Sequence, residues 1–244
     1  MVARRTSHIE QDKPEGLKTI TIVIVGLLVL IGIMMIARSS SSLMPVQEIS
    51  LQGKFQYTNP QRLENIIGKA AAVGFLAIDL PQLQTALKQL AWIKSVKIER
   101  VWPDHLRVYV TEKTAYLRLG NDKLISVDGV AFTPASTQQF SNLPLLDINH
   151  TYTPELFRAY REMEYLLVQN GYELQQFHVN QHGVWALDLS QDIHIEVGRI
   201  NPLTIFKRFI AVLPSIDHQR LSQLQSIDLR YENGFALGFR NGTQ

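Results

Sequence analysis

The stretch WIKSVKIERVWPDHLRVYVTEK, residues 92–113, decides the fold of the first half of the chain. Apolar and polar residues alternate on both sides of a central turn, which is the pattern of two half-buried strands. The turn carries Pro103 and Asp104, residue types that four-residue turns prefer. The sequence therefore predicts a β-hairpin, with Trp92 and Trp102 packed in the core or against the hairpin.

Two short helices are predicted ahead of this hairpin. The triplet TNP at residues 58–60 offers capping oxygens and then a proline for the first helical position, and Gly68 is expected to end the helix. A second helix is expected from Asp79, because leucines recur there at helical spacing. With a strand at residues 45–53, the order is strand, helix, helix, strand, strand. The leucines of the second helix are Leu80, Leu83, Leu87 and Leu90.

One long apolar stretch lies near the N-terminus. TITIVIVGLLVLIGIMMIA, residues 19–37, is nineteen residues without a charge, between Lys18 and Arg38. As a helix it would be about 28 Å long, close to the ~30 Å hydrocarbon core of a bilayer. A cleaved signal peptide would have a shorter apolar core and a small residue where Met35 stands. An uncleaved single transmembrane helix is therefore predicted.

The charges around this stretch predict its orientation. Lysine and arginine are more frequent in the arm formed by residues 1–18 than just after the apolar stretch, and positive charge stays in the cytoplasm. The N-terminus is thus expected inside, and the bulk of the chain on the periplasmic side of a bacterial inner membrane (a single-pass type II protein). Residues 38–43 are serine-rich and predict a short flexible linker.

The second half of the chain predicts a different architecture. Residues 114–240 read as a mixed or antiparallel β-rich domain, and residues 241–244 as a polar tail. Helical spacing marks two helices, at residues 154–171 and 201–214. The segments SIDLRY and GFALGF are expected to close a final hairpin. The predicted fold class is α+β.

Composition and motifs favour neither catalysis nor nucleic-acid binding. Lysine plus arginine number 24 against 22 acidic residues, which predicts no nucleic-acid groove, and cysteine is absent. His178 and His182 are four apart without an HExxH motif, and neither a P-loop nor a GxSxG motif occurs. The acids Asp188, Asp192 and Glu196 are expected to face solvent. The prediction is a protein that is not an enzyme and takes no cofactor, metal or small-molecule substrate.

The pattern WIxxVxIxRxWPxxLxVxVxE resembles a POTRA domain, here expected over residues 44–113. With the apolar stretch before it, and LISVDGVAF and IDLRYENGFALGF after it, the whole order is similar to the FtsQ/DivIB family of bacterial cell-division proteins. The resemblance implies a non-enzymatic scaffold of the divisome. Such a scaffold links early and late division proteins, and indirectly the septal wall-synthesis proteins, at the division septum.

The same resemblance implies partners. The POTRA domain is expected to meet an FtsK-type upstream partner, and the β-domain to bind FtsB and, through it, FtsL. One alternative stays open, because POTRA domains also occur in envelope assembly or chaperone modules that handle outer-membrane protein strands. A wall hydrolase would need a zinc or nucleophile constellation that the motifs do not offer.

The final strand, residues 234–239, is the predicted binding element. A terminal strand can lie at a sheet edge, where a partner strand adds by β-augmentation. Its apolar residues alternate with the others and therefore lie on one face of the strand. A strand that only packs into the core of its own domain would show the same pattern. A tryptophan is common at the family's last motif position, where this chain has phenylalanine. The predicted partner-binding residues are Arg230, Tyr231, Asn233, Gly234, Phe235, Leu237 and Phe239.

Overall fold

The computed structural model describes residues 15–39, 44–216, 222–231 and 234–240. Residues of four predicted segments lie outside these ranges. They are residues 1–14 of the N-terminal arm, residues 40–43 of the linker, residues 217–221 and 232–233 of the β-domain, which include the predicted site residue Asn233, and the whole tail 241–244.

The first helix, α1, runs from Glu15 to Ser39 and includes the whole apolar stretch. Helix formation over residues 19–37 is thus confirmed. Its described side chains, residues 20–35, are almost all exposed. Within the part of the chain that the structure describes, no helix combines the length and the apolar character needed to cross a membrane. The anchor itself stays a prediction from the sequence.

The chain forms two compact units, and α1 belongs to the first of them. The first takes in the chain up to Gly53, then Asn59–Leu87 and Val96–Val110. The second takes in Lys54–Thr58, Lys88–Ser95 and everything from Thr111 onward. Three short segments of the predicted POTRA range, residues 54–58, 88–95 and 111–113, therefore belong, by their contacts, to the second unit.

The predicted βααββ order is confirmed. Its strands form a three-stranded sheet in the order β1–β3–β2, in which β1 runs parallel to β3. Leu106, Val108 and Val110 alternate with more exposed neighbours along β3 and are buried, as the period-two pattern predicts. The elements are β1 (Glu48–Gln52), α2 (Pro60–Ala71), α3 (Leu80–Lys88), β2 (Ile93–Val101) and β3 (His105–Glu112).

Helix α2 begins as predicted but ends later. The Asn59 side chain accepts a hydrogen bond from the Gln61 N–H at 2.9 Å, and Pro60 follows it. The predicted end at Gly68 is wrong, because the helix continues to Ala71. Gly68 stays within the helical ladder, and its carbonyl accepts the Ala72 N–H. The left-handed backbone needed for the turn occurs at Gly74, where φ is 99°.

The second unit is built on a mixed nine-stranded sheet, ordered β12–β11–β10–β9–β8–β7–β4–β5–β6. Its parallel pairs are β10–β11, β4–β7 and β7–β8. The strands are β4 (Ala115–Leu119), β5 (Lys123–Ser126), β6 (Ala131–Phe132), β7 (Leu145–Ile148), β8 (Leu174–Val179), β9 (Trp185–Leu189), β10 (His194–Gly198), β11 (Leu224–Asp228) and β12 (Ala236–Phe239).

Both predicted helices of this unit are present, as α4 (Pro154–Gln169) and α5 (Pro202–Val212). Helix α4 packs against β8, α5 packs against β10, and the two helices contact each other. The Thr153 hydroxyl caps α4 by accepting the Leu156 N–H at 3.3 Å. The main core lies between these helices and the sheet. It includes, from these two helices, Tyr160, Met163, Leu167, Phe206, Phe209 and Ile210.

A smaller aromatic core in the second unit contains Trp92. Its ring stacks on Tyr57, with centroids 4.0 Å apart, and also meets Phe132 and Phe140. The predicted packing of Trp92 is confirmed. Trp102, in the first unit, meets the Phe75 ring in an edge-to-face contact and is 64% exposed, so its predicted packing is partial.

Candidate partner-binding edge

Strand β12 lies at one end of the nine-stranded sheet. Among the described residues it pairs with β11 alone, in antiparallel orientation, with Leu237 opposite Ile227 and Ala236 opposite Asp228. The predicted final hairpin is thus present, although β12 is two residues shorter than expected. An edge position leaves one side of the strand available to another chain.

The backbone direction of β12 identifies the groups on that side. The Arg240 N–H donates to the Gln223 carbonyl at 2.8 Å and so points toward β11. Backbone groups alternate in direction along a strand. The N–H and C=O groups of Leu237 and Phe239 therefore point away from β11, toward the open edge. These are the groups that an added strand would bind.

The predicted apolar residues of β12 do not share one environment. Phe235 and Leu237 are half-buried and pack against the main core, where Phe235 meets Phe209 edge to face at 5.4 Å. Phe239 lies at the surface and is 38% exposed. Phe235 and Leu237 thus contribute to the core of their own domain. Phe239 is the most accessible of the three to a partner.

A groove lies between α5 and the residues that precede β12. Tyr231, Gly234 and Phe235 line it together with α5, and its volume is about 340 Å³. Tyr231 is 58% exposed at its rim. Sequence reasoning missed the contribution of α5, here represented by Ile205 and Val212. The available signal was that these two apolar residues lie off the inward stripe of α5.

Arg230 is already occupied by carboxylates of its own chain. Its Nε and Nη2 donate to Asp228 Oδ1 and Oδ2 at 2.9 and 2.7 Å, and its Nη1 lies 3.0 Å from Glu196 Oε1. The hydrogen bond with Asp228, and then the charge of Glu196, raise the pKa of Arg230. The same hydrogen bond lowers the pKa of Asp228 against a smaller opposing effect of burial. The guanidinium is therefore oriented by its own sheet.

A second polar cluster crosses the sheet on neighbouring strands. His178 Nε2 lies 2.7 Å from Asp188 Oδ2, and His194 Nδ1 lies 2.6 Å from Asp188 Oδ1. Asp147 adds a longer contact, 3.4 Å from His178 Nδ1. Sequence reasoning did not bring these residues together, because they lie on β7, β8, β9 and β10. Cross-strand pairs of this kind stabilise a sheet.

No group of three or more His, Cys, Asp or Glu residues suited to a metal ion occurs within the described ranges. Asp192 and Glu196, predicted to face solvent, are respectively exposed and half-buried. Glu196, which pairs with Arg230, and the half-buried Asp188, which contacts His178 and His194, are the exceptions to that prediction.

Comparison with known protein families decides the assignment. The POTRA domain of FtsQ type matches residues 44–113. The C-terminal domain of cell division protein FtsQ/DivIB matches residues 115–230. The chain belongs to the FtsQ/DivIB family. It is accordingly a cell-division protein with a POTRA domain and a β-rich C-terminal domain, as the motifs predict.

Individual relatives agree with the family. Cell division protein FtsQ of Xanthomonas campestris pv. campestris is 32% identical over 195 residues, which cover 79% of this chain and 69% of the relative. The FtsQ of Methylomonas methanica is 27% identical over 199 residues, covering 82% and 80%. The FtsQ of Escherichia coli K12 is 27% identical over 202 residues, covering 80% and 73%.

The family match stops just short of the candidate edge. The matched C-terminal domain ends at residue 230, so Tyr231 and β12 lie beyond it. The geometry of the edge strand, its open backbone groups and the adjacent groove are therefore independent of the family match. The seven predicted partner-binding residues stay a prediction.

Proposed function

We propose that this member of the FtsQ/DivIB family is a non-enzymatic scaffold of the divisome that binds an FtsB/FtsL-type partner by β-augmentation at β12. The observation that carries the proposal is the position of β12 at the end of its sheet, paired with β11 alone among the described residues. A partner strand would lie alongside Leu237 and Phe239 and extend the sheet.

Backbone pairing alone is too weak to give specificity. Strand β12 has four residues, and each added hydrogen bond contributes only about 0.5–1.5 kcal/mol net. Side chains must therefore bury additional apolar surface. Tyr231 is exposed at the groove and Phe239 is exposed on β12, and aromatic residues are over-represented among binding hot spots. They are the side chains proposed to contact the partner.

Arg230 has a different part in this proposal. A partner carboxylate would compete with Asp228 and Glu196, which already hold the guanidinium. The three groups together carry one net negative charge at neutral pH. Arg230 therefore supports the edge mainly by fixing the end of β11, next to Tyr231.

The experiment compares two substitutions at one position. Phe239→Ala removes the ring and keeps the N–H that faces the open edge, whereas Phe239→Pro removes both. Binding of the full-length chain to full-length FtsB- and FtsL-type proteins of the same organism would be measured in nanodiscs. We expect Phe239→Pro to weaken binding clearly more than Phe239→Ala. Equal binding by both variants and the parent would show that β12 is not the binding strand.

A matched control is available on a surface remote in sequence from this edge. Tyr165 on α4 is an exposed aromatic residue, and Tyr165→Ala should leave binding unchanged. Circular dichroism spectra of all variants would show that the fold is retained. A loss of partner binding in the control would indicate a general effect of surface substitution.

The anchor and the POTRA partner form a separate part of the proposal. The uncharged residues 19–37 support a single inner-membrane span with a cytoplasmic N-terminus, at the division septum. Protease added to spheroplasts should digest the chain beyond Arg38 and spare the arm.

The POTRA domain is proposed to meet an FtsK-type protein. Cross-linking in cells would distinguish this role from the alternative one, because an assembly module should instead capture outer-membrane protein precursors.

A further inference from the structure

The first compact unit exposes a group of large apolar side chains. Trp102 is 64% exposed and Leu76 is 53% exposed, and Met44 and Val73 are similarly open. An isolated exposed apolar residue is ordinary, but several together indicate a contact surface. We call these four residues, Met44, Val73, Leu76 and Trp102, the apolar patch.

Backbone and ring contacts bring the parts of the apolar patch together. The Phe75 N–H donates to the Met44 carbonyl at 2.8 Å. The Phe75 ring meets the Trp102 ring edge to face, with centroids 5.4 Å apart. Val73 and Leu76 lie on the same loop as Phe75. Three segments that are distant in sequence thus meet around Phe75.

Arg100 fixes the loop that carries Val73 and Leu76. Its Nε donates to the Phe75 carbonyl at 3.1 Å, and its Nη2 donates to the Ile78 carbonyl at 2.6 Å. A charged donor on two carbonyls holds this loop firmly against β2. The apolar patch is therefore preformed, and little conformational entropy would be lost when it binds.

The length of the chain before Met44 suggests what covers the patch. Helix α1 ends at Ser39, so only residues 40–43 separate it from Met44. At about 3.6 Å per residue, the Cα atoms of Ser39 and Met44 are at most about 18 Å apart. The polar layer on each side of the hydrocarbon core is about 5–8 Å thick. If α1 is the anchor proposed above, Met44 is held close to the membrane surface.

We propose that the apolar patch inserts into the interface of the bilayer that holds α1. This inference rests on the proposed anchor. Tryptophan favours the headgroup level, where its ring is buried and its N–H stays hydrated. Residues 44–113 carry nine Lys and Arg against six Asp and Glu, an excess compatible with anionic lipids. The first compact unit would then lie against the membrane rather than extend freely from it.

Because the chain has no cysteine, a single label can report on the patch. Leu76→Cys would carry an environment-sensitive fluorophore on the full-length protein, in nanodiscs of phosphatidylethanolamine and phosphatidylglycerol. We expect a blue-shifted emission that lipids brominated on the acyl chains quench. Val168→Cys on α4 is the matched control, since Val168 is 57% exposed and Leu76 is 53% exposed. The control label should be neither shifted nor quenched.

Tryptophan fluorescence gives a second measurement without a label. Brominated lipids should quench part of the intrinsic emission of the parent, and Trp102→Phe should abolish that part. Its exposure makes this substitution compatible with folding. Quenching that persists in Trp102→Phe, or a Leu76 label that is unquenched, would overturn the inference. A Leu76 label that becomes shielded only when a division protein is added would also overturn it, in favour of a protein partner.

The outcomes separate this inference from the proposed anchor. A chain that fails to enter nanodiscs, or that alkaline carbonate extracts from membranes, contradicts the anchor. A chain that enters nanodiscs but shows no quenching at residues 76 and 102 contradicts only the membrane contact of the apolar patch.

Discussion

Arg230 holds Asp228 through two parallel hydrogen bonds at the end of β11, Nε to Oδ1 at 2.9 Å and Nη2 to Oδ2 at 2.7 Å. The two residues are neighbours of the proposed binding strand, since Asp228 lies opposite Ala236 of β12. The pair therefore couples the charge state of one carboxylate to the geometry of the edge.

The first prediction concerns Asp228→Asn. The hydrogen bond from Arg230 lowers the pKa of Asp228 in the folded state. The carboxylate therefore stabilises the fold at pH values above the unfolded pKa of about 3.9, and this contribution is lost as the pH falls through the folded pKa. Asp228→Asn should lower the melting temperature slightly at neutral pH. The difference from the parent should shrink as the pH falls below about 4.

Arg230→Lys is the companion variant. Lysine keeps the charge but cannot make two parallel hydrogen bonds to one carboxylate. It should reproduce most of the stability loss of Asp228→Asn in the same melting experiment. A pH-independent difference between Asp228→Asn and the parent would show that the paired charge contributes nothing to folding.

The second prediction separates binding from folding at Tyr231. The ring is exposed at the rim of the groove, so Tyr231→Ala should weaken binding of the FtsB-type partner by about tenfold or more, equivalent to at least about 1.4 kcal/mol. The melting temperature should change little, because little buried contact is lost. Calorimetric titration of the full-length chain in nanodiscs would measure the affinity.

Tyr165 provides the comparison for this variant. It is 63% exposed on α4, against 58% for Tyr231, so both substitutions remove a similar solvent-exposed ring. Tyr165→Ala should bind the partner as the parent does. Tight binding by a Tyr231→Ala, Phe239→Ala double variant would place the interface elsewhere on the molecule.

The third prediction concerns a carboxylate that binds backbone. Glu112 accepts N–H groups from Gln56 at 2.9 Å, Thr58 at 2.7 Å, and Tyr57 at 3.3 Å. This holds the segment that places Tyr57 on Trp92. Glu112→Gln should lower the free energy of unfolding by about 1–3 kcal/mol, because the amide offers one acceptor oxygen where the carboxylate offers two.

Glu155 is a suitable reference for this loss. It forms an exposed pair with Arg158 on α4, and exposed pairs contribute about 0–1 kcal/mol. Denaturant unfolding of Glu155→Gln should therefore nearly overlay that of the parent. If the unfolding curve of Glu112→Gln also overlays that of the parent, the hydrogen bonds from the three backbone N–H groups to Glu112 contribute no net stability.

Local pattern was sufficient to predict most of the fold. Period two in β3, the capping residues of α2 and the inward stripe of α5 each follow from a few neighbouring residues. The error at Gly68 also has a local reason. A glycine ends a helix only where the backbone turns left-handed, and here that position is Gly74.

The candidate site was less predictable, because its contacts join distant segments. The sequence indicates Tyr231 and Phe239, but not that Glu196 would pair with Arg230, 34 residues later. Nor does the sequence indicate that Arg100 would donate to the Phe75 carbonyl. The exposure of Trp102 is likewise not evident from the sequence. Such contacts depend on which strands become neighbours, and local periodicity does not specify strand order.

The fourth prediction concerns the carboxylate between two histidines. Burial tends to raise the pKa of Asp188, but the hydrogen bonds from His194 and His178 outweigh it and lower the pKa overall. Asp188 therefore stabilises the fold above its unfolded pKa of about 3.9, and the contribution is lost as the pH falls through its folded pKa. Asp188→Asn should lower the melting temperature at neutral pH, and less so in acid.

Asp192→Asn tests whether the environment of Asp188 is responsible. The Asp192 side chain is 94% exposed and reaches Arg240 only at 3.7 Å. Its substitution should leave the melting temperature unchanged at every pH. Similar pH profiles for the two variants would indicate that the histidine contacts do not matter for stability.

The fifth prediction compares two glycines that both need left-handed backbone. Gly129 has φ of 76° and Gly120 has φ of 58°. A Cβ at residue 129 would stand 2.6 Å from Cδ1 of the buried Phe157 ring, whereas a Cβ at residue 120 meets nothing within 4 Å.

Gly120→Ala should therefore lower the free energy of unfolding only by the backbone strain, about 1–2 kcal/mol. Gly129→Ala should lose a further 1–3 kcal/mol, roughly, because the ring must move within a packed core. Denaturant unfolding of both variants measures the difference. Equal losses in the two variants would mean that the Phe157 ring moves aside without a cost in stability.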